Sequence, residues 1–192
     1  ILFYFKDKKE IEFDTETTGL DVHSNDLISA QFGDNKNQFV VDSNTIDIRE
    51  FKVLLENKLI IMQNAKFDLK FLYKYGIFPT KVYDTFLAES VLNMGNKKVR
   101  KSLDHLTYRY CNISLDKTIR GSIHKEGLSK RVIKYAADDV KYLGEIKKAQ
   151  LKKLKEFNLL KALELDNRFV RVLAYVEFSG FYLDADKWKR FH

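Results

Sequence analysis

One cysteine, Cys111, stands alone among 192 residues. It excludes an intramolecular disulfide and a cysteine-cluster zinc site. No uninterrupted apolar run reaches the length of a membrane span, and no signal peptide precedes the first strand. Internal repeats and low-complexity linkers are missing too. A soluble, intracellular, cytoplasmic protein with no membrane contact is expected. What the chain does have is a core: 45% of its residues are hydrophobic and 14% aromatic. That suffices for one sizeable domain with an appended helical piece. Lys and Arg number 34 against 27 Asp and Glu, for a net charge of +7. The excess points to polyanionic partners, although a lysine-rich solvated surface explains it equally well. The chain starts at Ile1 and stops at Phe191–His192 inside what reads as a charged, aromatic helix start, as a domain cut from a larger protein would.

The stretch Glu10-Ile11-Glu12-Phe13-Asp14-Thr15-Glu16-Thr17-Thr18-Gly19 organises the rest. A short alternating run ends in two carboxylates one residue apart, and a turn follows. Side chains alternate along a strand, so Asp14 and Glu16 project from one face. Two anions that close repel unless a cation or a proton lies between them. Hard oxygen ligands suit Mg²⁺ or Mn²⁺. A polar turn whose Asp and Thr side chains cap backbone groups explains this stretch alone equally well.

Around it, Ile11 to Asp14, Leu27 to Phe32 and Gln38 to Val41 read as strands joined by short polar connections, which predicts an antiparallel meander. Ile46 to Asn57 has helical spacing, Leu59 to Met62 reads as a buried strand, and Phe67 to Tyr75 as a helix ending at Gly76. A strand around Val82–Tyr83 leads into a helix from Thr85 to Leu92. Meander followed by strand–helix alternation argues for an α/β fold on a mixed sheet, not a doubly wound one. Helices follow: Ser102 to Tyr110 with Ser102 as N-cap, one long helix from Ser129 to about Phe157, and Leu159 to Phe178. The apolar side of the last is expected to carry Leu163, Phe169, Val170, Leu173 and Val176. Ser179–Gly180 ends it, and Phe181 to Asp184 is extended.

Two further constellations carry chemistry. In Gln63-Asn64-Ala65-Lys66-Phe67-Asp68, Asn64 stands where a helix N-cap would, with Asp68 one turn later on the same face. Capping explains Asn64, but not an acid set among Phe67, Leu69 and Phe71, which is a candidate ligand or catalytic group. In Tyr135-Ala136-Ala137-Asp138-Asp139, Tyr135 and Asp139 share a helix face and the alanines permit close approach of another element. A surface ion-pair role suits Asp138 better than Asp139.

Together, Asp14-Thr15-Glu16, Asn64 with Asp68 and Tyr135 with Asp139 resemble the three motifs of the DEDD 3′–5′ exonucleases, tyrosine subclass. The likeness runs from about Ile11 to Gly144, with the motifs in the family's order. It implies a ribonuclease H-like fold, a mixed five-stranded sheet flanked by helices, with the acids at its centre. It also implies two divalent cations, Mg²⁺ or Mn²⁺. Carried over, Asp14, Glu16 and Asp139 would hold one, Asp14 would bridge to the second, and Asp68 would act on the second through water. Tyr135 would orient the attacking water, and nucleoside 5′-monophosphates would leave from the 3′ end. Thr17, Leu20, Gln63, Asn64 and Phe67 would hold the terminal nucleotides, Leu20 and Phe67 by apolar or stacking faces and Gln63 and Asn64 by amides. Leu20 and Phe67 fit a core role equally well. Lys97, Lys98, Arg100, Lys101, Lys117, Arg120, Lys130, Arg131 and Lys134 could track the strand's phosphates, or form a solvated basic face.

Ser102 to Leu106, Leu115 to Lys117 and the third motif are similar to ribonuclease D-type exoribonucleases and also to the proofreading domain of family A DNA polymerases. Val170 to Trp188 resembles the segment joining that domain to its polymerase, which favours the second. The expected layout is an exonuclease domain over 1–157 and a helical extension over 158–192 resembling the start of a polymerase domain. Single-stranded or frayed 3′ ends of DNA are the expected partner, and a monomer the expected state. A degenerate, purely binding module is disfavoured because all five motif positions are filled.

Overall fold

The computed structural model describes residues 1–116 and 127–190, so Lys117 and Arg120 lie outside the described residues. A short helix, α1 (Leu2–Phe5), precedes β1 (Glu10–Thr17), β2 (Leu27–Gly33) and β3 (Gln38–Asp42). These strands pair antiparallel in chain order, Phe13 opposite Phe32 and Phe32 opposite Phe39, so the expected meander is present. After a 3₁₀ turn (Ile48–Phe51) and α2 (Lys52–Asn57), β4 (Leu59–Met62) pairs parallel with β1. Beyond α3 (Lys66–Lys74), β5 (Lys81–Asp84) pairs parallel with β4. The order β3-β2-β1-β4-β5 makes a mixed five-stranded sheet with β1 at its centre.

Strand alternation sorts the interior into two cores. Ile11, Phe13, Ile60, Met62 and Val82 pack on one face with Leu69 and Leu72 of α3. Ile61 and Tyr83 point the other way, against α4 (Thr85–Leu92), α5 (Leu103–Cys111) and α7 (Leu143–Glu156). The even positions of β1 therefore face α6 (Lys130–Lys141), which lies over β1, β2 and β3. Gly33 permits that closeness, since a Cβ there would stand 2.9 Å from Val140 Cγ2. Buried Glu89 ties α4, α5 and α7 together. It accepts from Tyr110 Oη at 2.7 Å, Asn93 Nδ2 at 2.9 Å and Gln150 Nε2 at 3.1 Å, and it pairs with Arg109. Helix α8 (Leu160–Ser179) crosses α3 and β5, with Val170 and Ala174 buried in the first core, and α9 (Ala185–Arg190) follows. Among the described residues no helix is long and apolar enough to cross a membrane.

The expected continuous helix from Ser129 to Phe157 is two helices. The break is at Tyr142, and the Gly144 amide, a first-turn donor of α7, goes to Glu12 Oε1 at 2.8 Å. Ser129 does cap α6, its hydroxyl accepting from the Val132 amide. Ser102 stands at the N-cap of α5, but its hydroxyl meets His105 Nδ1 at 2.7 Å instead of a backbone amide. The segment from Ile46 is helical only from Ile48, and Ile46 is exposed. On α8, Phe169 and Val176 face solvent, and the fully buried apolar residues are Leu163, Val170 and Ala174. Asn64 does not cap α3. It sits in the left-handed region at φ 59°, and the cap position is Ala65. The free amides of Asn64 and Ala65 donate instead to Asp84, at 2.9 and 2.8 Å.

Candidate active site

The acids gather where β1 ends. Asp14 and Glu16 stand on the face of β1 that α6 covers, and Asp139 reaches it from α6. One carboxylate oxygen from each of the three lies within 4.8 Å of the other two. Asp139 is buried and the strand pair half-buried, so mutual repulsion is poorly screened. An all-oxygen set of this kind fits a hard divalent cation. The register of β1 on β2 slips between Glu16 and Thr17, a bulge that bends the strand just where the ligands are presented.

Asp68 is not part of that group. Its carboxylate accepts from Thr15 Oγ1 at 2.6 Å, and Thr15 points to the α3 face, between the two strand acids. Burial pushes the Asp68 carboxyl above the usual aspartate range, and the Thr15 hydrogen bond opposes the shift. Tyr135 is buried, with Val132, Ile28 and Leu128 around it. It lines a cleft of about 170 Å³ with Leu115, Asp116, Arg131, Lys134, Asp138 and Asp139. The i, i+4 pairing of Tyr135 and Asp139 therefore holds, and two basic residues of the expected phosphate track, Arg131 and Lys134, sit at the same opening.

The residues expected to hold nucleotides are dispersed in character. Leu20 is 82% exposed, so it is not a core residue. Phe67 is half-buried against the first core and tilts onto Phe71 at 5.2 Å between ring centroids. Thr17 Oγ1 donates to the Gly19 carbonyl at 2.7 Å. Both ends of the Gln63 amide are engaged by the protein, Nε2 with the Lys101 carbonyl at 2.8 Å and Oε1 with Thr85 Oγ1 at 2.5 Å. Asn64 is exposed on its left-handed turn.

Three residues escaped the reading of the sequence. Thr15 fastens Asp68 to β1. Asp84 fastens the turn before α3 to the start of α4, since it also caps α4 through the Phe86 amide at 2.8 Å. Burial raises its carboxyl to about 6 against the amides that bind it. Glu12 is buried on the Asp14 face, where burial raises its carboxyl to about 8 and the Gly144 amide opposes. The available signal for Glu12 was an acid between Ile11 and Phe13 in phase with Asp14.

A carboxylate trio, two half-buried acids at the end of the central strand and a buried third on α6 one helical turn from a tyrosine, has the form of a carboxylate-centred nuclease site. The family follows: the chain belongs to DNA_pol_A_exo1, 3′–5′ exonuclease, whose model matches residues 4–155. It is thus a 3′–5′ exonuclease domain of the DEDD type, similar to the proofreading domain of DNA polymerase I. It is 33% identical to DNA polymerase I of Aquifex aeolicus over 91% of this chain and 32% of that protein. Against DNA polymerase I of Borreliella burgdorferi it is 32% identical over 96% of this chain and 22% of that protein. The chain thus spans about a third or less of these curated relatives. Human Exosome complex component 10 is 29% identical over 59% of this chain and 13% of that protein. The fold matches Brucella melitensis NrnC at TM-score 0.83 and 23% identity, covering 93% of this chain and 89% of that one. NrnC with bound Mg²⁺ matches at TM-score 0.78 and 21% identity, over 90% and 86%. Escherichia coli RNase D matches at TM-score 0.76 and 21% identity, over 86% and 45%.

Proposed function

We propose that this domain removes nucleoside 5′-monophosphates from single-stranded or frayed 3′ ends of DNA, as the proofreading exonuclease of a family A DNA polymerase. The observation that carries the DNA reading is the 32–33% identity to two DNA polymerases I across nearly the whole chain. On this reading residues 1–157 form the exonuclease, and 158–192 lead toward a polymerase domain in the same parent chain. The partial match to human Exosome complex component 10 favours a second reading, a ribonuclease D-like exoribonuclease.

Asp14, Glu16 and Asp139 would hold one divalent cation, with Asp14 shared with a second. Bound there, two such ions neutralise the phosphodiester, lower the pKa of the attacking water and stabilise the leaving oxygen. The chain's own groups set the geometry. Asp68, anchored by Thr15 and set apart from the trio, suits an indirect role through water. Tyr135, one turn from Asp139 in the cleft, would orient the attacking water through its hydroxyl. Exposed Leu20 offers an apolar face to the terminal base, and Phe67 an edge. Thr17 and Asn64 would supply polar contacts, and Gln63, engaged at both ends, would act by holding the turn beside them. Arg131 and Lys134 would meet the strand's phosphates.

The deciding experiment incubates the domain with 5′-labelled single-stranded DNA and RNA of one sequence, with Mg²⁺ or Mn²⁺. Stepwise shortening of DNA, faster than of RNA and faster on mismatched than matched duplex ends, supports proofreading. Preferential shortening of RNA supports the second reading, and no shortening of either sinks both.

A further inference from the structure

Away from the carboxylate trio, a second cavity of about 430 Å³ opens beneath the junction of α6 and α7. Its wall includes Glu10, Glu12, Glu145, Ile61, Lys147 and Leu151, and none of Asp14, Glu16, Tyr135 or Asp139. Glu12 is the group that calls for a ligand. It is only 4% exposed. Oε1 takes the Gly144 amide at 2.8 Å, while Oε2 is buried with no hydrogen-bond partner among the described residues. A buried carboxylate oxygen left unmatched is costly, so such groups call for an explanation.

The place is built around this carboxylate. A Cβ at Gly144 would collide with Glu12 Oε1, so only glycine lets the acid lie against that amide. The lining lysines do not neutralise it: Lys147 pairs with Glu10, and Lys148 is exposed with no ion pair to Glu12. Asp34, also in the wall, is already engaged by Tyr4, Lys8 and the amides of Lys36 and Asn37. Buried Ile61 and half-buried Leu151 add apolar wall.

We propose that this cavity binds a small organic cation, an alkylammonium or alkylguanidinium, with one N–H donated to the Glu12 carboxylate, whose closed-off Oε2 turns into the cavity on binding, and its alkyl part between Ile61 and Leu151. The juxtaposition of one unmatched buried acceptor and apolar wall fits such a ligand. A divalent metal fits poorly. Among the described residues, only Asp14, Glu16 and Asp139 bring three acidic ligand atoms within 4.8 Å of one another, and the acids of this cavity do not. The volume falls within the range of small-molecule pockets, about 300–1,000 Å³.

The test titrates the protein with agmatine, with n-butylamine and with the neutral analogue 1-butanol, in saturating Mg²⁺, by calorimetry and by amide chemical shifts. The expected result is saturable 1:1 binding of at least one cation, absent for butanol, with shifts centred on Gly144, Ile61 and Gly33. Glu12→Gln keeps the shape and the Gly144 bond but turns a donor toward the ligand, so affinity should fall at least tenfold. Leu151→Trp fills the cavity from its half-buried side and should reduce affinity as much. The shift map of the unmodified protein decides the matter even if a variant misfolds. No saturable binding, equal affinity in Glu12→Gln, binding suppressed by Mg²⁺, or shifts centred on Asp14 and Asp139 would each overturn the proposal.

Discussion

Replacing Asp84 by alanine tests how the site is held. Its carboxylate accepts from the amides of Asn64 at 2.9 Å, Ala65 at 2.8 Å and Phe86 at 2.8 Å. It thereby joins the entry of α3 to the cap of α4. Asp84→Ala leaves these donors without their acceptor, at about 1–3 kcal/mol for each that stays buried. Removing a buried carboxylate restores its desolvation, and water entering the vacated space recovers part of the rest. The expected net loss is about 3–4 kcal/mol, against a total stability of about 5–15 kcal/mol for a domain. With a urea slope of about 1–3 kcal/mol per molar, the midpoint should drop by more than about 1 M at an unchanged slope. Asp84→Asn keeps one acceptor but points an NH₂ group at donors, so it should recover less than half of the loss. Hydrogen exchange at the Asn64 and Ala65 amides should accelerate in both variants. A loss below about 1 kcal/mol in Asp84→Ala, with those amides still protected, would refute the argument.

Chelation should abolish hydrolysis and added Mg²⁺ or Mn²⁺ restore it; undiminished degradation in excess EDTA would contradict a metal-held trio. Asp139→Ala should weaken both metal binding and turnover, while Tyr135→Phe keeps metal binding and loses about 10²–10⁴-fold in rate. Asp138→Ala, outside the three converging oxygens, should bind metal as the unmodified protein does, which calorimetry reads directly. Asp34 gives a pH signature. Partial burial disfavours its charge, but Lys8, the Asn37 and Lys36 amides and Tyr4 prevail and hold its carboxyl down at about 2, against an ordinary 3.8. A depressed folded-state pKa stabilises above the ordinary value. The difference in urea stability between the unmodified protein and Asp34→Asn should therefore be full at neutral pH and vanish as pH falls from about 3.8 to 2.

The sheet was legible because its signals are local. Period-two runs joined by short polar connections mark three strands without reference to anything distant. Asp14 and Glu16 share a face by the pleat alone, and Tyr135 and Asp139 by the helical repeat. What was not legible depends on partners far along the chain. The turn at Asn64 is settled by Asp84, twenty residues on, whose carboxylate takes the amides a local cap would have satisfied. The break at Tyr142 coincides with the Gly144 amide being taken up by Glu12, 132 positions before that glycine. Apolar periodicity continues through the junction, from Val140 to Leu143 and Ile146, so periodicity alone joined the two helices. Phe169 and Val176 looked like core for the same reason: helical spacing shows which residues share a side, not how wide a contact that side meets.

The even positions of β1 form a graded series of carboxylates on one face, and the fold answers each differently. Glu10, at the exposed start, is paired by Lys147. Glu12, buried, has one oxygen on the Gly144 amide and the other unmatched. Asp14 and Glu16 converge with Asp139. The central strand is held on β4 from Glu10 to Glu12 and on β2 from Glu12 to Thr17, so the series passes from one neighbour to the other at Glu12. The helix facing it is fixed at both ends, by the Ser129 cap and by the Tyr142–Gly144 junction over Glu12. Between those ends Val140 settles onto Gly33, where the missing side chain lets α6 descend, and Asp139 is the residue just before it. The depth of the third acid is thus set by a glycine on β2 and a glycine at the start of α7, neither of which touches the trio. Liganding geometry held to within fractions of an ångström needs such support from packed elements. The acids that gather a metal are easily read along one strand and one helix. The glycines that bring strand and helix to the same depth are visible only in the folded chain.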